Sequence, residues 1–424
     1  MSKLNLKKQP VYRVFGDMGN GLPKLVLSDG SVTELILDSA FVVVDETRAK
    51  DSYDNFREDV VRYVEGDRDL QPDWKKNWAY GKHLIIGEGA KFFGLHRRVS
   101  QSDLYKAEML LPFLAYAIAT HAKEKCQTYK VILGASTPEM GFLPGEMARL
   151  TKGVHRMQVG ANVLDLRVHL EAIVPEGSKV RVGDAVTRYL LLDLGDLTAI
   201  LRLFLDGKAG KPVVQRFGVT TFLDLLGENI QHKFANGVDL AGLREVIRSW
   251  KMTTKERTVR LKGDELKTTK AFNEKEPDAT KHLALTKKES YQEFPALMLN
   301  GVDITAEYKS TLEAWIDNIW TKVVEPMLRK IPVQVPIYGL GGGVQLPFSR
   351  EMMEKRGVKV LDDPVLQNAR SGFQAVVQSV NADKVEFPDW KKVEPVKAEE
   401  SDASKSDVTE PTSAESEVTE AAIA

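Results

Sequence analysis

A phrase that occurs twice constrains this chain more than any other feature. Val14–Leu27 reads V-F-G-D-M-G-N-G-L-P-K-L-V-L, and 176 residues later Leu190–Leu203 reads L-L-L-D-L-G-D-L-T-A-I-L-R-L. At that offset Asp17 falls on Asp193, Gly19 on Gly195, Asn20 on Asp196 and Leu25 on Leu201. Each copy is an apolar, strand-like run broken by a polar turn, so two similar halves are expected. Glycine at a tight turn lets backbone N–H groups approach phosphate oxygens closely. A carboxylate repels phosphate, so an aspartate in each copy implies a bridging cation, most simply hydrated Mg²⁺.

The chain has 424 residues, 43% of them apolar, which is enough for two ordinary domains with filled cores. Its formal net charge of −1 hides an asymmetry. Glu394–Ala424 carries nine acids and two lysines, a net of −7, which leaves +6 on residues 1–393. That modest positive charge is not a nucleic-acid footprint, so no direct nucleic-acid binding is expected. Cys126 is the only cysteine, which excludes an internal disulfide and favours a reducing, cytoplasmic setting. Met1–Pro10 is polar and does not read as a secretory leader. The longest apolar run, Met109–Ala119, contains Pro112 and is far shorter than the roughly 20 residues that cross a bilayer, so no membrane insertion is expected.

Strand-like runs are expected over Glu34–Val44 and His83–Ile86, with a charged, tryptophan-bearing stretch between them. Apolar spacing predicts a helix over Leu104–Lys125, then a strand over Tyr129–Leu133. Val163–Val174 reads as two short strands ahead of the second repeat. A helix is expected over Phe217–Phe234 and another over Tyr308–Leu328, with Leu312, Trp315, Ile316, Ile319 and Val323 on one stripe. Helices alternating with strands predict α/β layering. Residues 250–295 are rich in lysine and glutamate and read as an exposed subdomain or insertion. A strand over Val333–Leu340 runs into Gly341, Gly342 and Gly343. Residues 393–424 lack periodicity and should form a disordered tail.

The first copy fits D-x-G-x-G-x-x-K through Asp17, Gly19, Gly21 and Lys24, with the lysine on the strand leaving the turn, able to point back at phosphates. The run G-L-G-G-G at 339–343 is not the dinucleotide fingerprint, because Val344 stands where a sixth-position glycine is needed, and no Walker pattern occurs. Consecutive glycines after a strand still allow a flat base or ribose to lie against the backbone.

These motifs, in this order, resemble the actin, Hsp70 and sugar-kinase superfamily, and within it the prokaryotic actin-like proteins of the plasmid-segregating ParM group. The stretch Asp363-Pro364 to Asn368-Ala369-Arg370-Ser371-Gly372-Phe373 is similar to the one that follows the adenosine motif in that group. The resemblance covers about residues 11–380. It implies an α/β, actin-like fold of two RNase H-like domains with ATP and Mg²⁺ in the cleft between them. Residues 1–182, joined by 362–392, would form one domain and 183–361 the other. Asp17 and Asp193 would hold the metal through water. Gly19, Asn20, Gly21 and Lys24 would contact phosphate from one side, with Gly195, Asp196 and Thr198 on the other. Gly341, Gly342 and Gly343 would flank the adenosine, and Gly218 would sit near the ribose or base. Glu176, on the segment before the second turn, would orient or deprotonate the attacking water. Asp196 next to phosphate would crowd or repel its oxygens, which predicts slow turnover.

The function so implied is an ATPase that assembles head to tail into nucleotide-dependent filaments, with plasmid or other DNA cargo reached through a DNA-binding adaptor. An Hsp70-type chaperone would need a β-rich domain after the ATPase, and only the acidic tail follows. A small-molecule kinase and a non-hydrolysing nucleotide-binding scaffold of the same superfamily stay open.

Overall fold

Apolar residues on successive strand positions divide between the two faces of a sheet. Val14 and Leu27 join a large core with Leu110, Phe113 and Leu114, whereas the adjacent Phe15 and Val26 join a second with Phe373 and Val376. A sheet covered on both faces explains why these strands read as continuous apolar runs. The computed structural model describes residues 11–389 except for Asn20 and segments 50–59, 67–77, 94–95, 100–101, 122–125, 138–142, 184, 261–266, 268–285 and 332–333. The expected acidic tail at 393–424 lies outside the described residues.

Among the described residues, the first sheet contains β1 (Val11–Met18), β2 (Pro23–Ser28), β3 (Val32–Ile36), β4 (Ala40–Val44), β5 (Val60–Gly66), β6 (His83–Ile86), β7 (Arg97–Arg98), β8 (Thr128–Thr137), β9 (Gly153–Val159) and β10 (Asn162–Pro175). Their order is β3-β2-β1-β8-β10-β9-β5-β6-β4-β7. Strands β1, β8 and β10 run parallel, and β1 and β2 form an antiparallel hairpin. Helices Asp103–Glu108, Leu110–His121 and Leu143–Thr151 contribute to the core on one face, and Gln367–Ser379 covers the other.

The second sheet repeats the central arrangement. Here β11 (Tyr189–Leu194) and β12 (Ala199–Leu205) form the hairpin, and β11 runs parallel to Ile337–Leu340, which in turn is parallel to Val358–Val360. Leu190 and Leu192 face a core that includes Phe222, Leu312 and Trp315, while Tyr189 and Leu191 face the other side with Val180 and Phe204. The duplicated phrase is therefore a duplicated hairpin. Asp17 ends one first strand opposite Lys24 and Ser136, and Asp193 ends the other opposite Ile200 and Leu340.

Several elements differ from the sequence expectation. Glu34–Val44 is split between β3 and β4. Residues 162–175 form one strand, bent by a register shift between Leu170 and Ala172. The helix expected over Leu104–Lys125 breaks at Met109, because Pro112 has no N–H to donate to the Glu108 carbonyl four residues back. The helix expected over Tyr308–Leu328 is regular over Thr305–Ile319, then passes through a single π-helical turn at Trp320–Val324. Within 250–295 the described part is an antiparallel hairpin of Thr253–Arg260 with Thr286–Glu293.

Gly372 explains the Gly-Phe pair singled out in the sequence. A Cβ there would overlap the Phe15 ring, so helix Gln367–Ser379 can lie on β1 only because that atom is missing. Gly372→Ala is expected to destabilise the protein by about 1–3 kcal/mol, the usual cost of overpacking a core. Urea unfolding measures it, and an unchanged midpoint would remove this contact from the account.

Candidate functional site

The two hairpin aspartates are buried and line one cavity of about 610 Å³. Asp17 is held by its strand partners: Ser136 Oγ donates to Oδ1 at 2.8 Å and Lys24 Nζ to Oδ2 at 3.1 Å. Burial pulls the Lys24 ammonium down, but Asp17, Asp193 and Glu176 outweigh it and hold the group above its usual value. Asp193 accepts from Asn368 Nδ2 at 2.7 Å. Burial and the nearby Glu176 carboxylate push its carboxyl up to about 7, against the opposing pull of Lys24 and Asn368. Gly341, at φ +92°, stands where a Cβ would overlap Asp193 Oδ1 and the Leu194 carbonyl. Only glycine lets that strand end close over the carboxylate.

Glu176 follows β10, where the chain leaves the first sheet for the second. Its side chain lines the cavity and accepts from Lys106 Nζ at 3.1 Å through Oε1. Its N–H donates to the Thr137 carbonyl at 3.0 Å, and its carbonyl accepts from Arg202 Nη2 at 3.0 Å.

The second turn is built by backbone contacts. Gly195 N–H donates to the Thr198 carbonyl at 2.9 Å, and Val219 N–H donates to the Gly195 carbonyl at 3.0 Å. A Cβ on Gly218 would overlap the Asp196 carbonyl, so Gly218 serves the junction between turn and helix Val219–Ile230. Gly218 and Gly343 do not line the cavity, whereas Gly19, Gly21, Lys24, Gly195, Asp196, Thr198, Gly341 and Gly342 do. Asn20 lies outside the described residues. The Arg244 guanidinium pairs with Asp196 and also donates to Thr220 Oγ1 at 3.1 Å, so the Asp196 charge is matched within the protein.

Sequence reasoning missed Lys106, Arg244 and the cavity's far wall. That wall is apolar, formed by Leu223, Ile247, Trp250, Met252, Phe294 and Leu346. Asn368 lay inside a quoted motif without an assigned role. Ion pairs also bind the two halves beside the cavity. Asp38, before β4, contacts Lys91 at 2.9 Å and Arg248 of helix Leu240–Ser249 at 3.1 Å. Burial raises the Asp38 carboxyl, but Lys91, the Ala40 N–H and Arg98 prevail and hold it below its usual range.

A hydrated divalent cation fits this donor set. Asp17, Glu176 and Asp193 all line the cavity, and a cation beside them would oppose the burial and the Glu176 charge that raise Asp193. Among the described residues, no group of three or more His, Cys, Asp or Glu is placed to ligate an ion directly.

Because the folded-state value of Asp193 lies above its unfolded one, this group's contribution to stability is complete below about pH 4 and is lost as the pH rises through 7. In the ligand-free protein, raising the pH from about 5 to about 8 should therefore cost stability at this site. Asp193→Asn should flatten that part of the profile. Thermal melts at both pH values test it, and equal slopes for the two proteins would contradict it.

No family model matches the sequence, and no curated protein matches it. Solved structures do match. The chain is similar to Bacillus thuringiensis ParM with AMPPNP at a TM-score of 0.54 and 14% identity, covering 87% of this chain and 99% of that one. It is similar to the actin-like protein Alp7A at a TM-score of 0.53 and 17% identity, covering 87% and 97%. An archaeal actin homologue matches at a TM-score of 0.57 and 14% identity, covering 87% and 100%. The B. thuringiensis ParM was also solved with ATP and with ADP. Paired hairpins in two sheets, with an aspartate from each in one cavity, and this likeness over most of the chain identify the protein as one with the actin-like fold.

Proposed function

We propose that the protein is an actin-like ATPase whose subunits assemble head to tail into filaments when nucleotide binds. The observation that carries this reading is the convergence of Asp17 and Asp193, one from each repeated hairpin, on a cavity that also holds Lys24 and Glu176. The cavity volume is within the range of sites for nucleotide-sized ligands. The nucleotides bound by the ParM structures support the choice of ATP.

In this reading Asp17 and Asp193 hold hydrated Mg²⁺, which would neutralise phosphate charge when bound. Lys24 and the N–H groups around Gly19 and Gly21 take the phosphates from one side, with Gly195 and Thr198 on the other. Asn20 belongs to the same turn in sequence. Gly341 and Gly342 flank the nucleoside, whose base lies against the apolar wall around Trp250 and Phe294. Arg244 keeps the Asp196 charge away from the phosphates. Glu176 orients the attacking water and accepts its proton. The two halves of the chain, 1–182 with 362–392 and 183–361, act as the jaws, and nucleotide joins them. Cargo is DNA reached through an adaptor, in keeping with the modest charge of residues 1–393.

Sedimentation with and without ATP and Mg²⁺, with phosphate release measured in the same tubes, tests the reading. A nucleotide-dependent pellet with phosphate release is expected. A soluble protein that binds ATP would favour the kinase or scaffold instead. Asp193→Ala is expected to lower Mg²⁺-dependent phosphate release by on the order of 100-fold, and unchanged kinetics would sink the site assignment. Arg244→Ala is expected to weaken ATP binding by about tenfold, since one unpaired charge beside the phosphates costs about 1.4 kcal/mol or more at short range. Adding Asp196→Ala should restore most of that loss in a fluorescent-nucleotide titration.

A further inference from the structure

We infer that Lys106 is a positioning residue for hydrolysis, acting through Glu176; the inference rests on the ATPase reading above. Lysine is almost never fully buried unless paired, and Lys106 is 2% exposed. Its Nζ lies 3.1 Å from Glu176 Oε1, and both residues line the cavity. The helix that presents it, Asp103–Glu108, is itself fixed, since the Tyr105 ring meets Phe41 edge-on at 5.1 Å.

The backbone of Glu176 is clamped from both halves, at its N–H by Thr137 and at its carbonyl by Arg202. Neither clamp controls the side chain. Lys106 does, by engaging one oxygen, and among the described residues no hydrogen bond reaches the other, Oε2. The pair therefore ties down one carboxylate oxygen of a cavity-lining side chain and leaves the other unengaged among the described residues. In the step so served, the water oxygen bonds to the terminal phosphorus. The bond from that phosphorus to the bridging oxygen breaks, and its electron pair leaves on ADP. The water proton passes to Glu176 Oε2 and then to the released phosphate.

A double-mutant cycle separates this role from a structural one. Phosphate release with ATP and Mg²⁺, and the affinity for fluorescent ADP, are measured for the wild type, Lys106→Met, Lys106→Arg, Glu176→Gln and the Lys106→Met/Glu176→Gln double variant. Lys106→Met should lower kcat by on the order of 10- to 100-fold, part of what an acid–base group contributes. Its ADP affinity should stay within about twofold, and Lys106→Arg should recover most of the rate. In the Glu176→Gln background, Lys106→Met should cost nothing further. A wild-type rate in Lys106→Met, or losses that add in the double variant, would overturn the assignment. Should Lys106→Met fail to fold, Lys106→Gln carries the same cycle. If Glu176→Gln runs at the wild-type rate, or if the wild type does not hydrolyse ATP, the reading of the site itself fails and this inference with it.

Discussion

Two carboxylates buried in one cleft each need a partner, because an unpaired buried charge is costly. Asp17 and Asp193 end equivalent strands of two sheets and point into a common space. Asp17 has partners from its own sheet, Ser136 and Lys24, whereas Asp193 is met by Asn368 from the helix that covers the first sheet. Burial and the neighbouring Glu176 still raise the Asp193 carboxyl against these partners, and positive charge placed beside it would oppose that shift.

The same logic extends away from the centre. Asp196, Asp38 and Glu34 are each matched by an arginine brought from elsewhere in the chain: Arg244, Arg248 and Arg370. Arg248, on helix Leu240–Ser249, reaches Asp38 across the two halves, whereas Arg370 ties helix Gln367–Ser379 to β3 within the first. Partly buried pairs of this kind contribute less to net stability than to fixing one arrangement over others. They make the relative placement of the halves depend on a few polar contacts at the cleft, and less on a shared apolar core.

How much of this could be read from the sequence follows from what each part rests on. The repeated hairpins are legible because both strands of each are near-continuous apolar runs with a polar turn between them, a pattern that survives in one dimension. Gly19 and Gly341 are legible too, since the backbone atoms of Leu22 and Leu194 come too close to leave room for a side chain. Lys106 and Arg244 are not. Each sits in an amphipathic helix, where one basic residue looks like any solvated one, and only folding brings them to Glu176 and Asp196. Gly218 packs the second turn on helix Val219–Ile230, a role that in sequence has the same signature as a ligand contact. The bent β10 was read as two strands, since a bulge breaks periodicity as a loop does.

The lysine-rich hairpin has its root in the apolar wall of the cavity. Met252 precedes its first strand and Phe294 follows its second, and the Trp250 indole N–H closes the base on the Pro295 carbonyl at 2.8 Å. Eight paired positions carry the arm roughly 25 Å from that point. Side chains that line this end of the cavity are thus also the footing of the hairpin, and a substitution among them alters the wall and the base of the arm at once.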